Sequence, residues 1–402
     1  MPTALILGVF HLLVDAATVT VTLRMAGPLV AAAVFAWVLT YDFVAFALQP
    51  ALGWAQDRWL GPRMVMLAGL LLTVLAVGAA ELVPTATAMA VVLAGLGNAG
   101  FHLGAGAHVL RLGLDRAAPV GLMVAPGALG LGFGIWFGRT STGPLWLVGL
   151  PVLVALILVA TRFADHPARL RSGSRLGERY LRRPGPDLVV AVVALLMISV
   201  AIRALVGGAA ALGYEAGTGL LVGLSVVAFG GKALGGLLAD RFGWVRVTVI
   251  ALLASAPLLA HAYADPAVLL VGLLLFQMTM PVTLVAVARL LPDRLATAFG
   301  LCCLALFLGG LPAMAAWGTE LRAKPLLAVW ILLSAGSAWV ALTGIGLRWQ
   351  RTPPVGEPGP VGAAGPGGEP GLVRAAGPGG EPGPVRATAP VGAAAKAGSV
   401  PQ

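Results

Sequence analysis

GWAQDRWLGPR (53–63) and GLLADRFGWVR (236–246) are one pattern written twice. Each runs G-x-x-x-D-R, then a glycine (Gly61 or Gly243), then a basic residue. The first copy supplies Gly53, Asp57, Arg58 and Arg63, the second Gly236, Asp240, Arg241 and Arg246. One such string is a basic turn and nothing more. Two of them, each closing the second long apolar stretch of its half of the chain, point to a duplicated unit. Glycine lets helices approach closely, a loop aspartate can pair with the positive N-terminus of a neighbouring helix, and arginines suit an anionic membrane surface. The first copy differs by an extra Leu60 before its glycine and by Pro62 after it.

The chain around these strings is 402 residues long, 59% hydrophobic and 10% charged. Its mean hydropathy of +0.94 lies far above soluble composition. Apolar runs of about 20 residues recur, each matching the ~30 Å hydrocarbon core of a bilayer. In the first half they fall at roughly 3–23, 29–52, 64–83, 86–110, 119–138 and 144–163. In the second they fall at roughly 187–207, 216–239, 245–264, 267–290, 296–317 and 325–347. A membrane barrel would show short alternating segments instead. The fold class is therefore all-α integral membrane, with twelve transmembrane helices in two six-helix halves. The 55 glycines suit close packing of such helices.

The halves are expected at 1–163 and 187–347, joined by a basic linker at 164–186. A Gly/Pro/Ala-rich tail at 348–402 carries the repeats VGEPGPVGAAGP (355–366), GGEPGLVRAAGP (367–378) and GGEPGPVRATAP (379–390). That tail has almost nothing to bury and reads as disordered.

The formal charge of +10 is a topology signal. With the N-terminus placed inside, 20 of the 26 Lys and Arg fall in inner connections and the tail, four in outer connections, and Arg203 and Lys232 within spans. The largest group (Arg162, Arg169, Arg171, Arg175, Arg179, Arg182, Arg183) lies at the middle connection. This positive-inside pattern puts both termini in the cytosol. The basic loops lack an aromatic stacking platform, which argues against nucleic acid. The N-terminus lacks a charged leader and cleavage site, so the first span is expected to stay in place. Arg outnumbers Lys 23 to 3, a bias of GC-rich bacterial genomes, so the expected location is a bacterial cytoplasmic membrane. Cys302 and Cys303 are neighbours on one helix and point apart, which disfavours a disulfide. No metal-ligand spacing of Cys and His occurs, so no metal is expected.

Twelve spans, a basic middle loop and paired G-x-x-x-D-R strings resemble the major facilitator superfamily of secondary transporters over about residues 1–348. The resemblance implies that Asp57, Arg58, Asp240 and Arg241 help hold the cytoplasmic side closed. HLLVD in the first span and GNAGFHLGAGAH in the fourth are similar to the fosmidomycin-resistance group of drug exporters. That group's Pro-Glu after the histidine is replaced here by Leu103 and Gly104. A coupling role resting on that glutamate would be lost.

Within the spans, His11 and Asp15 lie one helical turn apart on one face. Asp15 is about 12 residues into its span, near the midplane, where an aspartate costs roughly 2.5–3.5 kcal/mol and needs a partner. A His–Asp pair there can load and release a proton near physiological pH; a packing hydrogen bond that never titrates is the alternative. Asp42 is the second proton candidate, and His102 either a packing residue or a third. Tyr41, Asn98 and Gln277 are candidates for a substrate cavity. So are Arg203 and Lys232, although snorkelling to the surface is the leading expectation for both.

These residues suggest a proton-coupled secondary transporter in which each half rocks about a central site. It would move a small organic solute, by export through proton antiport on the drug-exporter resemblance. Proton symport inward is the alternative within transport, and a non-transporting receptor or assembly protein with the same fold is the alternative outside it. An intramembrane enzyme would need a nucleophile or metal constellation, and none stands out. No cofactor is implied, no G-x-x-x-x-G-K-[ST] loop for ATP occurs, and a monomer is the default.

Overall fold

The computed structural model describes residues 1–27, 30–163, 185–211, 217–261, 265–314 and 324–346. The linker (apart from its last residues) and the repeat tail lie outside them, so neither expectation is addressed. Among the described residues every regular element is helical. The first half contains Pro2–Ala26, a broken second span, Pro62–Leu82, Thr87–Leu110, Ala118–Thr140 and Trp146–Arg162. The second contains Pro186–Ala211, Thr218–Phe242, Trp244–His261, a broken tenth span, Leu295–Met314 and Lys324–Gly346. Eleven spans are long and apolar enough to cross a membrane, and Trp146–Arg162 is a shorter apolar helix. Twelve spans in two sixes is thus the architecture.

Two spans break at prolines. The second runs Ala31–Asp42, then a π turn Phe43–Ala47, then Gln49–Trp59. Pro50 has no N–H and its ring would strike the carbonyl four residues back in a regular helix. The widened turn, with Leu48 N–H reaching Phe43 O at 3.3 Å, absorbs that conflict. The tenth span runs Pro266–Gln277 and resumes at Met280–Leu290, with Pro281 in the new first turn. Its start is capped by Asp265, whose carboxylate accepts from Ala267 N–H at 2.8 Å.

The halves repeat one packing plan. The first span lies on the fifth and the seventh on the eleventh; the third packs on the fourth and sixth, the ninth on the tenth and twelfth. Fifth on eighth and second on eleventh join the halves. Small residues permit the close crossings: a Cβ on Gly104 would stand 2.5 Å from Pro62 O and Met66 N. The glycine-dense fifth span is held the same way. A Cβ on Gly130 would meet Leu12 Cα at 2.9 Å, one on Gly134 would meet Ala16 O at 2.9 Å, and one on Gly121 would meet Lys232 O of the eighth span at 2.7 Å.

The apolar core of the first half runs on into the tenth and eleventh spans through Val282, Val285, Ala296, Phe299 and Cys302. A separate cluster around Leu252, Leu259, Phe276 and Ile331 fills the second half. The halves are therefore fused at the face bearing the two repeated strings. Toward the opposite face the second span has no buried residue before Tyr41 and the eighth none before Gly231, although the fifth and eighth spans still meet there, where a Cβ on Gly132 would run into the Ser225 side chain.

Candidate functional site

At the motif face the two aspartates form a crossed pair of helix caps. Asp57, at the end of the second span, accepts from Ala296 N–H (3.0 Å), Thr297 N–H (2.8 Å) and the Thr297 hydroxyl (2.8 Å) at the start of the eleventh. Asp240, at the end of the eighth, accepts from Ala117 N–H (2.6 Å) and Ala118 N–H (2.9 Å) at the start of the fifth. Each half thus supplies a carboxylate to the positive helix end of the other. Gly53 and Gly236 make the approach possible. A Cβ on Gly53 would stand 2.6 Å from Ala296 O, and one on Gly236 2.8 Å from Ala117 O.

The basic residues of the strings do other work. Arg58 and Arg241 are exposed and lie over their own neighbours, Trp54 (5.9 Å) and Phe242 (5.6 Å). Arg63 donates to Ala160 O at 2.7 Å, within its own half, and Arg246 is exposed. The bridge that the pattern did not reveal is Arg289 in the tenth span. Its Nε–H donates to Leu114 O of the first half while its guanidinium lies 3.9 Å from the Trp244 ring. The extra Leu60 also matters: Leu60 and Gly61 turn through extended backbone, φ −124° and −81°, whereas Gly243 needs φ +96°. Only the second copy demands glycine there.

Deeper in, the first, fourth and fifth spans converge on one buried polar cluster. Asp15 Oδ2 lies 3.2 Å from His11 Nε2, and Asp15 Oδ1 lies 3.6 Å from His102 Nε2. Asn98 Nδ2 donates to Asp15 Oδ1 at 2.8 Å and more weakly to Thr18 Oγ1 at 3.4 Å. Thr18 spends its own proton on Val14 O (2.9 Å), so Tyr41 OH donates to Thr18 (2.9 Å). Tyr41 and Asn98, expected in a substrate cavity, thus belong to the acid's hydrogen-bond shell. Gly127 completes the wall, since a Cβ there would stand 2.8 Å from Asp15 Oδ2.

Proton inventory decides what this cluster can do. His11 Nδ1–H donates to Met123 O at 3.0 Å, which leaves the neutral ring's Nε2 as a lone pair. That lone pair faces the Asp15 carboxylate and is in contact with His102 Nε2. With the His102 proton on Nδ1, which is buried and has no partner among the described residues, His11 Nε2, His102 Nε2 and the Asp15 carboxylate face one another as acceptors, with room for one further cation among them. A proton fits. One ligand atom each from His11, Asp15 and His102, all within 4.8 Å of one another, could also hold a metal ion. Spacing along the chain gave no hint of that set, because the fourth span supplies its third member.

The remaining candidates lie elsewhere. Asp42 is half-buried beside the π turn and has no hydrogen-bond partner among the described residues. Arg203 does not snorkel: it is 5% exposed, and its Nη1 donates to Thr279 Oγ1 (3.4 Å) and Thr283 Oγ1 (3.3 Å) on the tenth span. The expectation failed because the helix turns that side chain toward the broken tenth span, not along the lipid. Lys232 is half-buried and within electrostatic reach of Asp15, His102 and Arg203, so it too is drawn inward. Gln277 is half-buried at the tenth-span break, with its Cβ against Gly231. Cys302 and Cys303 are buried free thiols.

Two six-helix halves latched at one face around buried charged groups define a multi-pass membrane transporter of small solutes. Residues 3–314 match the Major Facilitator Superfamily, and the chain belongs to that family. Solved structures agree in fold. The E. coli fucose:proton symporter FucP is similar with a TM-score of 0.61 at 17% identity, covering 87% of this chain and 98% of that one. The human organic anion transporter MFSD10 (TETRAN) has a TM-score of 0.65 at 15% identity, covering 85% and 99%. No curated protein sequence matches the chain.

Proposed function

We propose that the chain is a proton-coupled transporter of a small organic solute in a bacterial cytoplasmic membrane, working as a monomer with both termini in the cytosol, and that it exports by proton antiport. The observation that carries this is the surplus of acceptors at His11, Asp15 and His102: one added proton turns two facing acceptors into a hydrogen bond. Alternating access would carry that proton. With the motif face cytoplasmic by its basic connections, the crossed aspartate caps close the inside and the cluster is served from outside.

Lys232 favours a second reading, inward symport. A solute that engages Lys232 leaves Asp15 without that balancing charge until a proton joins it, and the two would then travel together.

Everted vesicles with an acidified lumen and a pH-sensitive dye separate the readings. Antibiotics and small anionic metabolites are added to vesicles carrying the native chain or Asp15→Asn. Solute-dependent proton release in the native chain alone supports antiport through Asp15. Further acidification supports symport. Equal responses from both proteins would remove Asp15 from the path.

A further inference from the structure

Among the described residues, the interior of the second half holds a cationic site with no acid of its own. Arg203 is 5% exposed at a depth where an unbalanced guanidinium is costly. Among the described residues no carboxylate lies within ion-pair distance of it. Its two contacts are neutral. Thr279 gives its hydroxyl proton to Phe276 O (3.2 Å), and Thr283 gives its own to Met280 O (3.0 Å). Both hydroxyls therefore accept from Arg203 Nη1 and cancel no charge. A guanidinium carries five N–H donors in a planar fork, and among the described residues only Nη1 is engaged. Lys232 adds a second cation within electrostatic reach and makes no hydrogen bond among the described residues. The acid within electrostatic reach of Lys232 is Asp15, one of whose oxygens is already held by Asn98.

We infer that Arg203 and Lys232 form the head-group site for an organic anion, a carboxylate or phosphonate whose paired oxygens match the free edge of the guanidinium. Bidentate oxyanion recognition is what an arginine fork does better than a lysine. Thr279 and Thr283 hold the fork in place, and Lys232 is within electrostatic reach of both Arg203 and Asp15. This assignment rests on the transport reading above and names its substrate class.

The purified full chain provides the test, by thermal unfolding and calorimetry with four probes. Benzoate and phosphonoacetate are the anions; benzyl alcohol and benzylamine are neutral and cationic controls. The two anions alone should bind. Arg203→Gln should weaken them about 10- to 100-fold, the scale of losing a charge-assisted hydrogen bond. Arg203→Lys should fall between, and Lys232→Gln should weaken them independently, which keeps the test alive if the buried Arg203 variants do not fold. Asp15→Asn should bind the anions at least as well as the native chain. Unchanged anion binding in both Arg203→Gln and Lys232→Gln, preferential binding of benzylamine, or no binding of either anion would each overturn the site. Anion binding that survives while Asp15→Asn still moves protons like the native chain would sink the coupling reading and leave the anion site standing.

Discussion

The shift that carries Asp57 onto Asp240 also carries Asp42 onto Ser225 and Gln49 onto Lys232. At the motif face the two copies do the same thing: an aspartate caps the other half's helix, and a glycine lets it reach. One helical stretch deeper they differ. The first half gathers Asp15, His11, His102 and Asn98, while the second presents Arg203 and Lys232 among threonines. Closure requires equal ends, because both latches must seat together. Coupling requires an unequal middle, because a proton site and a solute site must respond to each other. Duplication supplied the first, and divergence of the interior supplied the second.

The strongest way to break this division is Asp15→Asn. Solute-driven proton movement should fall by about 100-fold or more, the scale of removing an obligatory proton carrier. Anion binding should remain, as read in the vesicle and calorimetric assays. A variant that still couples would show that Asp15 does not carry the proton. Next is Gly127→Ala. Its new methyl presses on Asp15 and His11, an overpacking cost of about 1–3 kcal/mol. Unfolding temperature and coupling should drop together, whereas Gly138→Ala, which meets only the Leu23 side chain at 3.0 Å and nearby backbone, should lose less.

The latches test the symmetric side of the comparison. Asp57→Ala or Asp240→Ala each removes one cap, worth about 0.5–2 kcal/mol, and should raise labelling of a cysteine placed beneath the motif face roughly 2- to 30-fold. The double variant should exceed either single one. If one aspartate alone accounts for closure, the equality of the ends fails. The smallest effect is expected from Asp42→Asn, under about twofold in transport, because that side chain holds no partner among the described residues.

Much of this was legible along the chain. Span length and hydropathy placed the helices to within a few residues, except that the second runs on to Trp59 past its expected end at 52, and the repeated strings named both capping aspartates. The His11–Asp15 pair could be seen because four-residue spacing on a helix is local. His102, Asn98 and Tyr41 could be seen as polar residues at depth, but not as Asp15's shell, because that depends on how the first, second and fourth spans rotate against one another. Thr18 and Thr283 escaped notice because threonines in apolar helices usually bond back to their own carbonyls, as both do here. Arg203 was misread because snorkelling depends on which way the side chain leaves the helix, and hydropathy carries no direction. Arg289 looked like one more inner-face positive charge; only the fold brings Leu114 and Trp244 to it.

The crossed caps carry one more implication. Each half donates a carboxylate and receives one at matching places, so the junction is self-complementary, like the isologous contact of a twofold dimer. A single six-span chain with this string could have mated with a copy of itself, giving and receiving the same bond. Seen so, the linker between the halves did not create their union. It froze a partnership between twins, and from then on one twin could change its interior without obliging the other to follow.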